Sequence, residues 1–181
     1  MGDALQLNLF ESNGNSHGGS LSLGKRKTAR PIAVKRSQHV VLKSSLAVGK
    51  SSLLQKEHAR FIRRVMPVLA KRFGVIVYEW ANSGTHIHLL IRPRSRKAFQ
   101  SFVAGLSGRI AQQVTGSKKG RPSQGRFFDH IPFSRIVEWG RDFKRVRAYV
   151  IQNTLEALGL ILYTPRNLKM WMALMSQATK R

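Results

Sequence analysis

Apolar positions recur along this chain with two different periods, and the switch between them marks out the elements. Gln38 to Ser44, carrying His39, Val40, Val41 and Leu42, is a short β-branched run that predicts a first strand. Leu54, His58, Phe61, Ile62, Val65, Leu69 and Phe73 then return at helical spacing. They predict an amphipathic helix over Leu53 to Phe73, stopped by Gly74, with Pro67 as the place for a kink. Val75 to Trp80 and His86 to Arg92 predict two strands joined by the turn residues Asn82, Ser83 and Gly84, a hairpin that Pro93 ends. Phe99, Phe102, Val103, Leu106, Ile110 and Val114 mark a second helix, followed by a Gly- and Lys-rich loop from Thr115 to Gly125. Phe127, Phe128, Ile131, Phe133, Ile136 and Val137 supply a fourth, aromatic-rich strand region. Asp142 to Leu158 is a third helix whose apolar stripe runs Phe143, Val146, Val150 and Ala157.

The order β-α-β-β-α-β predicts an α+β fold: a ferredoxin-like antiparallel sheet with helices on one face and an added C-terminal helix. RNA-binding domains share that order, but the aromatic-glycine pattern of their stacking strands is missing here. The expected organisation is a disordered basic tail over residues 1–36, a folded domain over 37–162 and a helical extension over 163–181. In the extension Leu168, Trp171, Met172 and Met175 recur at helical spacing.

Charge narrows the partners. Thirty-two Lys and Arg against eight Asp and Glu give +24, which attracts polyanions, nucleic acid first. An anionic membrane surface is disfavoured because the basic residues are spread along the chain and not gathered on one amphipathic helix. No cysteine occurs, which excludes disulfides, thiolate nucleophiles and Cys-ligated zinc. No stretch approaches the roughly 20 apolar residues of a membrane span, and a cytoplasmic setting is expected.

Chemistry concentrates in two places. In Thr85-His86-Ile87-His88-Leu89-Leu90-Ile91 a strand turns His86 and His88 to one face, about 7 Å apart at their roots. Two imidazoles hold a divalent ion when a third ligand arrives. On the third helix Tyr149 and Asn153 are i,i+4 neighbours near the edge of the apolar stripe, while Gln152 turns away. If this helix covers the sheet face with the histidines, a phenol and an amide oxygen meet two imidazoles. Glu79 and Glu156 are the acidic residues nearest in sequence to these motifs. Arg141, Lys144, Arg145 and Arg147 along the helix, with Lys118, Lys119, Arg121 and Arg126 in the preceding loop, suit phosphate contacts that position a strand without reading it. Trp80 is a candidate for base stacking or, more simply, for the core.

Thr85-His86-Ile87-His88-Leu89-Leu90, followed by Ala148-Tyr149-Val150-Ile151-Gln152-Asn153 and Glu156-Ala157-Leu158-Gly159-Leu160, resembles the single-tyrosine HUH transposases. Within them the pattern is most similar to the REP-associated tyrosine, or IS200-like, branch, and the resemblance runs over residues 35–160. It implies that Tyr149 attacks a backbone phosphorus of single-stranded, hairpin-containing DNA to give a 5′-phosphotyrosine link. It also implies that His86, His88 and Asn153 bind the metal, Mg²⁺ or Mn²⁺, of which imidazoles favour the second. Two departures stand out: Thr154 occupies a position where Pro is usual, and Asn82-Ser83-Gly84-Thr85 replaces a common Pro-Asn before the first histidine. In the tail, Gln6-Leu7-Asn8-Leu9-Phe10 resembles the motif Gln-Leu-Ser/Asp-Leu-Phe that docks bacterial DNA enzymes on the sliding clamp, with Gln6, Leu7, Leu9 and Phe10 as the anchors.

Other readings remain at this stage. An HUH replication or mobilisation initiator fits the motifs, but the chain is short and lacks an ATPase motif. A domesticated binder of the same fold that has lost cleavage fits the charge, as does a ribosome-associated RNA binder, which leaves the paired motifs unexplained. Monomer and homodimer are both compatible with the sequence.

Overall fold

Alternation along the strands decides which face of the sheet each helix covers. The computed structural model describes residues 15–25, 28–117 and 125–162. Gln6 to Phe10, Lys118, Lys119, Arg121 and the extension over 163–181 lie outside the described residues. The elements are β1 (Ser16–His17), β2 (Ser37–Lys43), α1 (Lys56–Phe73), β3 (Val75–Asn82), β4 (His86–Pro93), α2 (Arg96–Thr115), β5 (Phe133–Val137) and α3 (Arg141–Ala157). The strands form one antiparallel sheet in the order β1-β5-β2-β4-β3. The expected α+β architecture, with the added C-terminal helix, is the one observed.

On one face Val40, Leu42, Ile87, Leu89 and Ile91 meet α1, through Ile62, Val65, Met66 and Leu69, and α2, through Phe99, Phe102, Leu106 and Ile110. Each such fully buried side chain contributes about 1.5–3 kcal/mol. Helix α1 continues through Pro67, whose place on the exposed side spares the packed face, and ends where Gly74 turns left-handed at φ 68°. Ser95 caps α2 by accepting from Ala98 N at 3.0 Å. On the opposite face Leu90, Ala81 and Val137 pack against Val146, Tyr149 and Val150 of α3. The sheet is therefore covered on both sides, and β4, paired on both edges, lies at its centre.

A register shift at Tyr78 in β3 places two residues opposite one. The bulge reverses the alternation after it, so that Trp80 joins the α1/α2 core while Glu79 and Ala81 face α3. Trp80 is a packing residue and not a stacking platform.

Two expectations change. Disorder before Ser37 does not hold for the described part of the tail: β1 pairs with β5, and Gly19 N donates to Ile131 O at 2.9 Å. The Arg30 guanidinium donates to Pro132 O at 2.7 Å and lies over the Phe99 ring at 5.5 Å. An otherwise open edge of β5 and an Arg stem with an aromatic floor supply what a composition-based reading of the tail does not register. Burial lowers the pKa of Arg30 to about 10, still above neutral pH. The fourth strand, expected from Phe127, begins only at Phe133. Pro132 withholds an N–H, and Asp129 turns its carboxylate to Ser45 N at 2.8 Å, so Phe127 packs into the core from irregular backbone.

Helix α3 is tied to the sheet by a fork of two bonds. Arg135 donates to Asp142 Oδ1 at 2.9 Å and Oδ2 at 3.0 Å, with both side chains largely buried. Burial pushes the Asp142 carboxyl up, but the hydrogen bonds and charge of Arg135, with bonds from Glu138 N and Arg145, outweigh it and leave the pKa below the usual value. A carboxyl depressed on folding stabilises the native state above its unfolded pKa of about 3.9, and that contribution is lost as pH falls through the folded value. Asp142→Asn is therefore expected to cost about 3 kcal/mol at neutral pH and to flatten the loss of stability below about pH 4. Urea unfolding across that pH range measures both.

Candidate active site

The histidines stand where the hairpin leaves the turn. Asn82 Nδ2 donates to Leu53 O at 2.7 Å, and Asn82 Oδ1 accepts from Gly84 N at 3.0 Å. Gly84 holds φ 83°, and a Cβ there would meet Leu54 and Ser52 at 3.3 Å. Ser44 N donates to Thr85 O at 2.9 Å. The unusual Asn82-Ser83-Gly84-Thr85 segment thus fastens the turn to the loop after β2, and Thr85 Oγ1 lies 2.8 Å from His86 Nδ1. From there alternation sends Ile87, Leu89 and Ile91 into the α1/α2 core and His86, His88 and Leu90 toward α3.

Helix α3 delivers Tyr149 and Asn153 to the same face, and both are buried. The Tyr149 ring stands edge-on to His88, with centroids 5.5 Å apart and planes at 82°. His86 and His88 stack at 6.0 Å and 17°. Asn153 Nδ2 donates to Tyr149 O at 2.7 Å. Thr154, in place of the usual Pro, keeps its backbone N–H and sits inside the helix without interrupting it. Of the four residues singled out by spacing, the rings of His86 and Tyr149 lie beside that of His88, and Asn153 is one helical turn from Tyr149.

Three further residues on this face were not singled out by the sequence. His39 on β2 is fully buried, and its ring is stacked on that of His88 at 5.6 Å and 6°. His39 Nε2 lies 3.4 Å from His88 Nδ1, and the edges of Tyr149 and Phe133 enclose it at 5.8 and 6.3 Å. Burial, followed by the Arg135 charge and partly offset by Asp142, lowers its pKa to about 3, so it is a neutral imidazole at physiological pH. Lys43, two rungs further along the same face, stands opposite His86 in the register. Arg135 is the third. Alternation from His39 through Val41 to Lys43 was visible, but the pairing of β2 with β4 was not.

Among the described residues no group of three or more His, Cys, Asp or Glu side chains converges on one point. Imidazole nitrogens and an amide oxygen are donors that a divalent metal ion such as Mn²⁺ accepts. The acidic residues are engaged elsewhere: Glu79 accepts from Arg147 at 3.3 Å and Glu156 from Gln152 at 2.8 Å. Of the residues expected to contact phosphate, Arg126, Arg141, Lys144, Arg145 and Arg147 are all exposed. Arg145 also reaches Asp142 at 3.4 Å.

Comparison with known proteins bears on the family and the fold. The model of a family described as "Transposase IS200 like" matches residues 37–153. A solved structure of a REP-associated tyrosine transposase bound to a REP hairpin superposes with a TM-score of 0.52 at 12% identity, over 73% of this chain and 74% of that one. The likeness is one of fold. A protein of Deinococcus radiodurans R1, described as a candidate transposase, gives a TM-score of 0.42 at 15% identity, over 71% of this chain and 98% of that one. No curated protein matches the chain.

Proposed function

This chain belongs to the IS200-like transposase family, and from that premise we propose that it cleaves and rejoins single-stranded DNA at hairpin-containing sites through a covalent link to Tyr149. The observation that carries the proposal is the Tyr149 ring packed edge-on against His88 at 5.5 Å, with Asn153 one helical turn further along. Tyr149 Oη attacks a backbone phosphorus in line. The P–O bond to the 3′-oxygen breaks, that oxygen leaves as the strand's 3′-hydroxyl, and a 5′-phosphotyrosine forms as the phenol loses its proton. The ester energy is kept in the new bond, so the reverse attack by a 3′-hydroxyl rejoins DNA without ATP.

His86, His88 and Asn153 Oδ1 would hold Mn²⁺ or Mg²⁺, which when bound supplies charge to offset that developing on the scissile phosphate. Asn153, by donating to Tyr149 O, fixes its own amide orientation and the turn that carries the nucleophile. Lys43, opposite His86, adds positive charge beside the reacting phosphate. Arg141, Lys144, Arg145 and Arg147 lie along the same helix as Tyr149 and lead the backbone of the strand toward it. Hairpin DNA is the proposed substrate, and Gln6, Leu7, Leu9 and Phe10 the proposed anchors on a sliding clamp.

The test mixes purified protein, Mn²⁺ and a pool of hairpin oligonucleotides drawn from the source genome and looks for protein joined to DNA on a denaturing gel. An adduct that needs the metal is expected. Tight binding with no adduct anywhere in the pool would overturn cleavage and favour a binder that has lost it.

A further inference from the structure

We infer that His39 is a positioning residue, which accepts a hydrogen bond from His88 Nδ1–H and thereby holds His88 as the tautomer whose Nε2 carries the lone pair. The inference rests on the metal site proposed above and adds a residue outside the two motifs.

His39 and His88 lie on neighbouring strands, in diagonal positions, because His39 pairs with Leu90 and Val41 with His88. Their rings are nearly coplanar in orientation, 6° apart, and the closest approach joins His39 Nε2 to His88 Nδ1 at 3.4 Å. A neutral imidazole has one N–H and one lone pair, so two arrangements satisfy this contact. If His39 Nε2–H donates, His88 must carry its own proton on Nε2 and cannot ligate through that atom. If His88 Nδ1–H donates, Nε2 of His88 is the lone-pair nitrogen. Only the second arrangement is compatible with ligation, and it makes His39 the acceptor.

The same need exists at His86, where Thr85 Oγ1 lies 2.8 Å from Nδ1, but a hydroxyl turns to donate or accept and so fixes no tautomer by itself. His39 has no such freedom of position. It is fully buried, its ring plane within 6° of that of His88, and it is edged by Tyr149 and Phe133. The 3.4 Å separation of the two nitrogens lies at the long end for a hydrogen bond.

The experiment compares wild type, His39→Leu and His39→Gln. Leucine fills the space without an acceptor, whereas the glutamine amide oxygen accepts from Nδ1–H. Two quantities are read: Mn²⁺ affinity, by electron paramagnetic resonance titration of free Mn²⁺, and the His88 tautomer in metal-free protein, from long-range ¹⁵N–¹H correlation of its ring. Thermal melts report folding alongside. The expected result is His88 protonated on Nδ1 in wild type, a loss of about 10–100-fold in Mn²⁺ affinity with mixed tautomers in His39→Leu, and recovery to within severalfold in His39→Gln. Wild-type affinity and an unchanged tautomer in His39→Leu would overturn the inference, as would a His39→Gln protein of native stability that binds no better than His39→Leu. If wild type binds no Mn²⁺, the metal site fails, and His88 found protonated on Nε2 in that protein refutes the role of His39 separately.

Discussion

Tyr149→Phe is expected to abolish the covalent protein–DNA product, with a fall of about 10⁴-fold or more in cleavage, while hairpin binding stays within about threefold of wild type. The substitution deletes one oxygen and keeps the ring. The aromatic edge that packs on His39 and His88 at 5.8 and 5.5 Å is retained, as is the donation from Asn153 Nδ2 to the backbone carbonyl of residue 149. The loss of stability should thus not exceed about 1–2 kcal/mol, small enough for a folded protein to be assayed. Under the proposed function, binding rests chiefly on phosphate contacts by exposed cations, which the substitution does not touch. The chain has three tyrosines. Tyr78 is locked edge-on between Trp139 and Phe143 at 5.6 and 5.3 Å, and Tyr163 lies outside the described residues. An adduct that persisted in Tyr149→Phe, or a DNA-linked peptide mapped elsewhere, would remove the nucleophile from α3 and with it the proposed mechanism.

The parts of this fold that could be read directly are those where a local period coincides with burial. Ile87, Leu89 and Ile91 alternate with His86 and His88, and one face of the strand is indeed core; Phe99, Phe102, Leu106 and Ile110 repeat at helical spacing and line α2. Tyr149 and Asn153 shared a helix face for the same reason. What escaped depends on neighbours that no local period encodes. His39 sat in plain sight within an apolar strand, yet its meeting with His88 follows from the pairing of β2 with β4, strands separated by α1 and β3. The bulge at Tyr78, which moves Trp80 into the core, breaks the very alternation by which a strand is read. The ordering of Ser16–His17 came from an open strand edge on β5, a property of the assembled sheet and not of the tail.

The second large effect concerns the donors, which should not be equal. His86 and His88 stand on β4, paired to β2 on one side and β3 on the other, so their backbone is fixed by the sheet before any cation arrives. Preorganised ligands forfeit little ordering entropy on binding, and losing one forfeits a full coordinate bond. His86→Ala, at a position with partial solvent access, should therefore lower Mn²⁺ affinity at least 100-fold and cleavage with it, leaving the melting temperature nearly unchanged. Asn153 would have two functions on one amide, Oδ1 as the proposed metal ligand and Nδ2 as the donor to Tyr149 O. Asn153→Asp keeps an oxygen and adds negative charge near the cation, so Mn²⁺ affinity should be retained or raised, but the donation is lost and the Tyr149 turn is held less firmly. Cleavage by Asn153→Asp should consequently fall by about 10-fold with metal bound, the size expected of one lost neutral hydrogen bond. Titrations of Mn²⁺ run beside adduct assays at saturating metal separate the two functions. If Asn153→Asp cleaved at the wild-type rate, the turn would not need that bond; if His86→Ala bound Mn²⁺ normally, the ion would have to sit somewhere other than between the two imidazoles.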